Sequence, residues 1–145
     1  MTKARTTRAA ELRFHPVYRP RDDAALLARV RGIVSRLNAR HFEGRLVPPP
    51  LRLSGRMRTR LACITLGPKT GAPVALTVSR RHLLAADWRE VEQTLLHEMV
   101  HLWQHAEGLP VDHGPSFRRK AKAVGAVPFA RRRLPGGNSQ NRGDD

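Results

Sequence analysis

The sequence predicts a small α+β domain in which helices pack on a short three-stranded sheet. Three observations carry this expectation. Two stretches, about 22–42 and 88–107, repeat apolar residues at helical spacing. Between them lie three short runs rich in β-formers, parted by turns containing Gly and Pro. The 145 residues, 40% of them apolar, suit one modest core with few aromatic rings to fill it.

The elements follow in order. Residues 1–21 carry six cations against one acid, Glu11, and are interrupted by Pro16 and Pro20. They read as a basic, partly flexible arm whose later part packs down through Phe14, Val17 and Tyr18. Asp22 and Asp23 then place negative charge at the positive end of a helix. Its apolar face is Leu26, Val30, Ile33, Val34 and Leu37, and it stops at Gly44 and the Pro48–Pro50 run. Strands are expected at Leu51–Ser54, Thr59–Leu66 and Val74–Val78. Around the start of the second, Arg56, Arg58 and Arg60 alternate with Met57, Thr59 and Leu61, which makes one face basic. A solvated edge strand is the plainer reading of that alternation; a groove for nucleic acid or substrate is the sharper one.

The next helix opens at Asp87, with Glu90 three residues on in the manner of a capping box, and closes at Gly108 and Pro110. Pro115 starts a last helix, about 115–125, that ends at Gly125. The expected division is an arm over 1–21, a folded domain over 22–128 and a disordered tail over 129–145.

Lys and Arg number 27 against 12 Asp and Glu, a formal charge of +15. Such a charge attracts polyanions without specifying any chemistry. The single Cys63 excludes a disulfide framework, a four-cysteine zinc ribbon and an iron–sulfur centre built from this chain alone. It fits a reducing, cytoplasmic setting, and among apolar and small neighbours it reads as a buried small side chain. No run approaches the roughly 18 apolar residues of a membrane span, and the N-terminal segment lacks the apolar stretch of a secretory signal. No membrane contact is expected.

Chemistry concentrates on the helix over 88–107, where residues 97–101 read His97-Glu98-Met99-Val100-His101. Four residues apart, the two histidines differ by about 40° around a helix and about 6 Å along it. Both imidazoles therefore reach one metal ion, with Glu98 beside it to work on a water without ligating. The helix's apolar stripe is Val91, Leu95, Met99, Leu102 and Ala106, and the histidines lie well around the axis from it. That placement favours a metal pair over core histidines.

A catalytic zinc needs a third protein ligand and an open fourth position. The metzincin continuation calls for Gly at position 104 and His at position 107, where this chain has Gln104 and Glu107. A downstream glutamate is excluded, since no acid occurs between Asp112 and Asp144. His105 is about 12 Å along the axis from His97, too far to share its metal, and reads as a surface residue. The loop after Gly108 supplies Asp112 and His113. His113, before Gly114-Pro115 and the next helix, is the better third ligand of the two.

These residues resemble those of SprT-like metalloproteases, the family of bacterial SprT proteins and eukaryotic Spartan. TLLHEMVHLWQH (94–105) followed by HGPSF (113–117) is similar to the family's H-E-x-x-H and H-G-x-x-F. LNARHFEGRL (37–46) resembles the end of its first helix, and ALTVSRRHL (75–83) the strand and turn before its catalytic helix. The likeness covers about 24–125. It implies a small zincin-like domain with the H-E-x-x-H on a central helix, one zinc ion held by His97, His101 and His113, and Glu98 as catalytic glutamate. Studied members include DNA-dependent proteases acting on proteins crosslinked to DNA. Many add a C-terminal zinc module with paired cysteines, which a chain with only Cys63 does not match.

The function expected is therefore zinc-dependent cleavage of a protein substrate, with a non-proteolytic, zinc-containing nucleic-acid-binding protein as the rival. Non-specific contact with DNA or RNA, and association with the nucleoid, are expected through Arg56, Arg58, Arg60, Arg118, Arg119 and Lys120. Few aromatics are available for stacking on bases. Tyr18 and the two tryptophans, Trp88 and Trp103, are read as packing residues rather than as oxyanion donor or stacking platforms.

Overall fold

The computed structural model describes residues 22–85 and 87–126. The predicted arm over 1–21, Tyr18 with it, and the predicted tail over 129–145 lie outside the described residues. Within them the chain is α+β, with four helices and one three-stranded sheet.

Helix α1 (Asp23–His41) buries Val30, Ile33, Val34 and Leu37, four of the five residues expected on its apolar face, and Leu26 packs at the edge of the same cluster. The chain leaves α1 through two left-handed residues, Glu43 (φ 57°) and Gly44 (φ 70°). Buried Asn38 then fixes the exit path: its Oδ1 accepts from the Leu46 N–H at 3.1 Å and its Nδ2 donates to the Leu46 carbonyl at 2.9 Å. Two backbone groups beyond a helix end are thereby satisfied by one side chain.

Strands β1 (Leu51–Ser54), β2 (Ala62–Leu66) and β3 (Pro73–Ser79) form a sheet in the order β1-β3-β2. β3 pairs parallel with β1, Leu53 opposite Val78, and antiparallel with β2, Ile64 opposite Leu76. Its central place explains the burial of Ala75, Leu76 and Val78.

Two sequence expectations need correction here. The second strand starts at Ala62 rather than at residue 59, because Ser54 Oγ accepts the N–H groups of Arg56 (3.1 Å) and Met57 (3.2 Å) and bends the chain into a loop. Arg56 and Arg58 are exposed in that loop and do not form the face of an edge strand. The segment after β3, expected as a turn, is a short helix, α2 (Arg80–Ala85). Ser79 Oγ accepts from the His82 N–H at 3.2 Å, an N-cap contact. Six residues are too few for a helical period to show in the sequence. Arg80 ties α2 to the start of α1 by two bonds to the Asp23 carboxylate, at 2.8 and 3.2 Å.

Helix α3 (Trp88–Ala106) packs against α1, α2, β2, β3 and the last helix, α4 (Pro115–Val124). Asp87 Oδ1 caps it, accepting from the N–H groups of Arg89 and Glu90 at 3.0 Å each. Val91, Leu95, Met99 and Leu102 are buried as expected, while Ala106, in the last turn, is exposed. Every residue from Thr94 to Leu102 is buried, so α3 is covered on both sides over this stretch. Helix α4 opens with Pro115 after Gly114 and ends at left-handed Gly125 (φ 81°). No helix among the described residues is long and apolar enough to cross a membrane.

Candidate metal centre

His97, Glu98 and His101 stand on the middle turns of α3, and all three are buried. The sequence placed the histidines away from the apolar stripe, which holds, yet they are not open to solvent. Helix α4 lies over them and sets the fully buried Phe117 against the cluster. The Phe117 ring centroid is 4.7 Å from that of His97, 4.6 Å from that of His101 and 4.8 Å from that of His113. One aromatic side chain thus fixes the packing of three imidazoles. Its signal in the sequence was its place four residues after His113.

Gly108 (φ 75°) turns the chain back after α3, and His113 meets the helix pair. His113 Nε2 lies 3.2 Å from His97 Nε2 and 3.2 Å from His101 Nε2. Among the described residues these three form the one His/Cys/Asp/Glu group able to hold a metal ion, with ligand atoms all within 4.8 Å of one another. Ligands about 2.0–2.1 Å from a tetrahedral zinc lie about 3.3–3.4 Å apart, which this spacing matches closely. The donor set also fits: three imidazole nitrogens, the usual protein ligands of zinc, converge on one point.

Asp112, the weaker candidate for third ligand, has other partners. Its Oδ1 accepts from the Gly114 N–H at 3.0 Å and from Gln104 Nε2 at 3.4 Å, which shapes the turn that presents His113. Arg118 Nη1 donates to the His113 carbonyl at 3.1 Å. His105 is exposed, as expected.

Beside the histidines is a cavity of about 280 Å³ lined by Arg60, Cys63, Ile64, Leu66, Glu98, His101 and Val111. Glu98 is thus a wall of the space next to the ligand cluster. Cys63 is half-buried on this wall rather than a core residue, because β2 is an edge strand running past α3. A second cavity, of about 430 Å³, opens between the end of α1 and the last turns of α3. It is lined by Trp103, His41 and Lys120 among others, with Lys120 Nζ 4.9 Å from the Trp103 ring centre. His41 is held below the ordinary imidazole pKa by burial first, then by Arg40 and Lys120. The six cations named for nucleic-acid contact therefore occupy different settings. Arg56 and Arg58 are exposed in the β1–β2 loop, and Arg60 is half-buried in the lining of the cavity that Glu98 also walls. Arg118 and Arg119 are exposed on α4, and Lys120 is half-buried over an aromatic ring.

Comparison with known proteins adds one finding. The profile of the SprT-like family matches residues 30–138 of the 145, a span holding α3, the His113 turn and α4. The chain belongs to the SprT-like family. No curated protein and no solved structure matches it. In this SprT-like chain three of the residues the sequence singled out, His97, His101 and His113, lie together, and Glu98 follows the first of them on α3.

Sequence reasoning missed Gln104. It is fully buried on α3, with its side-chain oxygen 2.8 Å from His101 Nδ1. Only its place three residues after His101, on the same side of the helix, hinted at a role.

Proposed function

We propose that this chain is a zinc-dependent metalloendopeptidase of zincin-like design, with His97, His101 and His113 as ligands of one zinc ion and Glu98 as general base. The observation that carries the reading is the convergence of three histidine Nε2 atoms next to a cavity walled by Glu98. Zinc held there would polarise a peptide carbonyl and acidify a water near neutral pH.

The remaining steps belong to the chain. Glu98 takes the proton of the attacking water and hands it to the leaving amine nitrogen as the C–N bond breaks. Glu98 is buried, at 4% exposure, and still lines the cavity, which keeps its carboxylate within reach of a substrate there. Cys63, Ile64, Leu66 and Val111 give the cavity an apolar lining, which suits an apolar substrate side chain next to the scissile bond. Exposed Arg56, Arg58, Arg118 and Arg119, with the basic segments 1–21 and 131–133, support non-specific nucleic-acid contact and hence substrates among DNA-bound proteins. A non-proteolytic zinc protein is the weaker reading, since structural zinc sites are closed by four protein ligands and this cluster offers three among the described residues.

The test offers zinc-loaded protein basic DNA-binding proteins, with and without DNA and at rising salt, beside Glu98→Gln. Zinc should stay bound in Glu98→Gln while cleavage falls by about 10²–10⁴-fold. Any stimulation by DNA should fade steeply with salt. Cleavage that survives Glu98→Gln would remove Glu98 from the reaction, and zinc binding with no cleavage of any offered protein would favour the binding protein.

A further inference from the structure

The side chain of Gln104 is fully buried and uses all four hydrogen-bonding positions of its amide. Its Nε2 donates to Ser116 Oγ at 3.0 Å and to Asp112 Oδ1 at 3.4 Å. Its Oε1 accepts from the Asp112 backbone N–H at 3.2 Å and faces His101 Nδ1 at 2.8 Å. The Asp112 N–H can only donate, so the amide atom it meets is the oxygen. That oxygen in turn can only accept, so His101 carries its proton on Nδ1. A neutral His101 then has its lone pair on Nε2, the atom 3.2 Å from His113 Nε2.

We propose that Gln104 is the positioning residue of the histidine cluster. It presets His101 in the tautomer that can ligate, and it ties the turn bearing His113 to α3 before any metal arrives. The inference rests on the three-histidine metal site. Its physical content lies in the alternative. Without Gln104, a proton on His101 Nε2 would point at His113 Nε2, and the two rings would hydrogen-bond to each other across the space a metal needs. The same loss would release Asp112, whose carboxylate and N–H both reach Gln104, and with it the turn before Pro115. Hydrogen-bond partners of this kind fix the ring orientation and protonation of metal-bound histidines in general.

Two variants separate the parts of the role. Gln104→Met keeps the length of the side chain and removes all four hydrogen bonds. Gln104→Glu keeps an oxygen that accepts from His101 Nδ1 and the Asp112 N–H, but brings a second carboxylate towards Asp112. The readouts are the imidazole ¹⁵N shifts of metal-free protein, taken at a pH where the rings are neutral, and zinc affinity by competition with a chelator. The parent protein should show His101 as the Nδ1–H tautomer. In Gln104→Met the Nε2–H form should appear and zinc should bind about 10–100-fold more weakly. Gln104→Glu should keep the Nδ1–H tautomer and lose less affinity than Gln104→Met.

Parent-like tautomer and affinity in Gln104→Met would overturn the proposal. If His101→Ala still weakened zinc binding, the metal site itself would stand. If the parent bound zinc no better than His101→Ala, the metal reading would fail, while the metal-free spectra would still decide what Gln104 does to His101. Should Gln104→Met not fold, Gln104→Asn, one carbon shorter and unable to span the same partners, should show the same tautomer shift; its absence there would count against the proposal equally.

Discussion

His97 and His101 arrive at the site together because one helix carries both at a spacing of four, whereas His113 has to be brought there by a turn. That difference decides how legible each was. The H-E-x-x-H pair and Glu98 could be read from spacing alone, since helix geometry converts sequence separation directly into distance. The choice between His113 and Asp112 depended on the fold of a loop; the structure gathers His113 with the pair, while Asp112 Oδ1 accepts from Gly114 and Gln104. Gln104 was illegible for a deeper reason. A glutamine on a helix is ordinarily solvated, and its role appears only when Asp112, Ser116 and His101, from three parts of the chain, close around it. At this scale the ligand assignment has a direct test in zinc affinity. His113→Ala should weaken zinc binding by orders of magnitude, while His105→Ala, a change at an exposed side chain, should leave it within about twofold, because surface substitutions away from such features cost within ±0.5 kcal/mol. Equal losses in the two variants would overturn the assignment.

Elements were legible where end signals were strong. Asp87, Pro115, Gly108 and Gly125 mark the ends of α3 and α4 to within a residue of the expected bounds. Helix α2 and the start of β2 were misread because each depends on a serine hydroxyl. Ser79 starts a helix and Ser54 stops a strand, by the same type of bond to a following N–H. The cap of α3 allows a clean separation of helix stability from site chemistry. Asp87 lies ten residues before His97 and contacts only the first turn in the bonds described. Asp87→Ala should therefore lower unfolding free energy by about 1 kcal/mol, read by chemical denaturation, and leave the zinc affinity of the folded protein unchanged. A large loss of zinc affinity would mean that strain at the N-terminus travels three turns along α3 to the ligands.

On the scale of the molecule, charge and metal site are laid out differently. The long helix holding His97 and His101 has one arginine, Arg89, against the glutamates 90, 92 and 98, so the +15 excess lies elsewhere in the chain. The apolar core formed by α1, α3 and β3 reaches the site through Phe117, which belongs both to that core and to the packing of all three histidines. Metal binding and global folding should consequently be one equilibrium. A ligand that binds the folded chain far better than the unfolded one adds about 4 kcal/mol at a free concentration 1,000 times its Kd. For a domain of this size that corresponds to a rise in Tm of roughly 10–20 °C, at about 4–8 °C per kcal/mol for 60–100 residues and less for longer chains. Adding zinc to chelator-stripped protein should therefore move Tm upward with the logarithm of zinc concentration. His113→Ala should show a much smaller shift than the parent, since it withdraws the ligand that joins the α3 pair to the following turn. Identical melting with and without zinc would show that the three histidines do not hold the ion, and would remove the basis for reading this face of α3 as a metal centre.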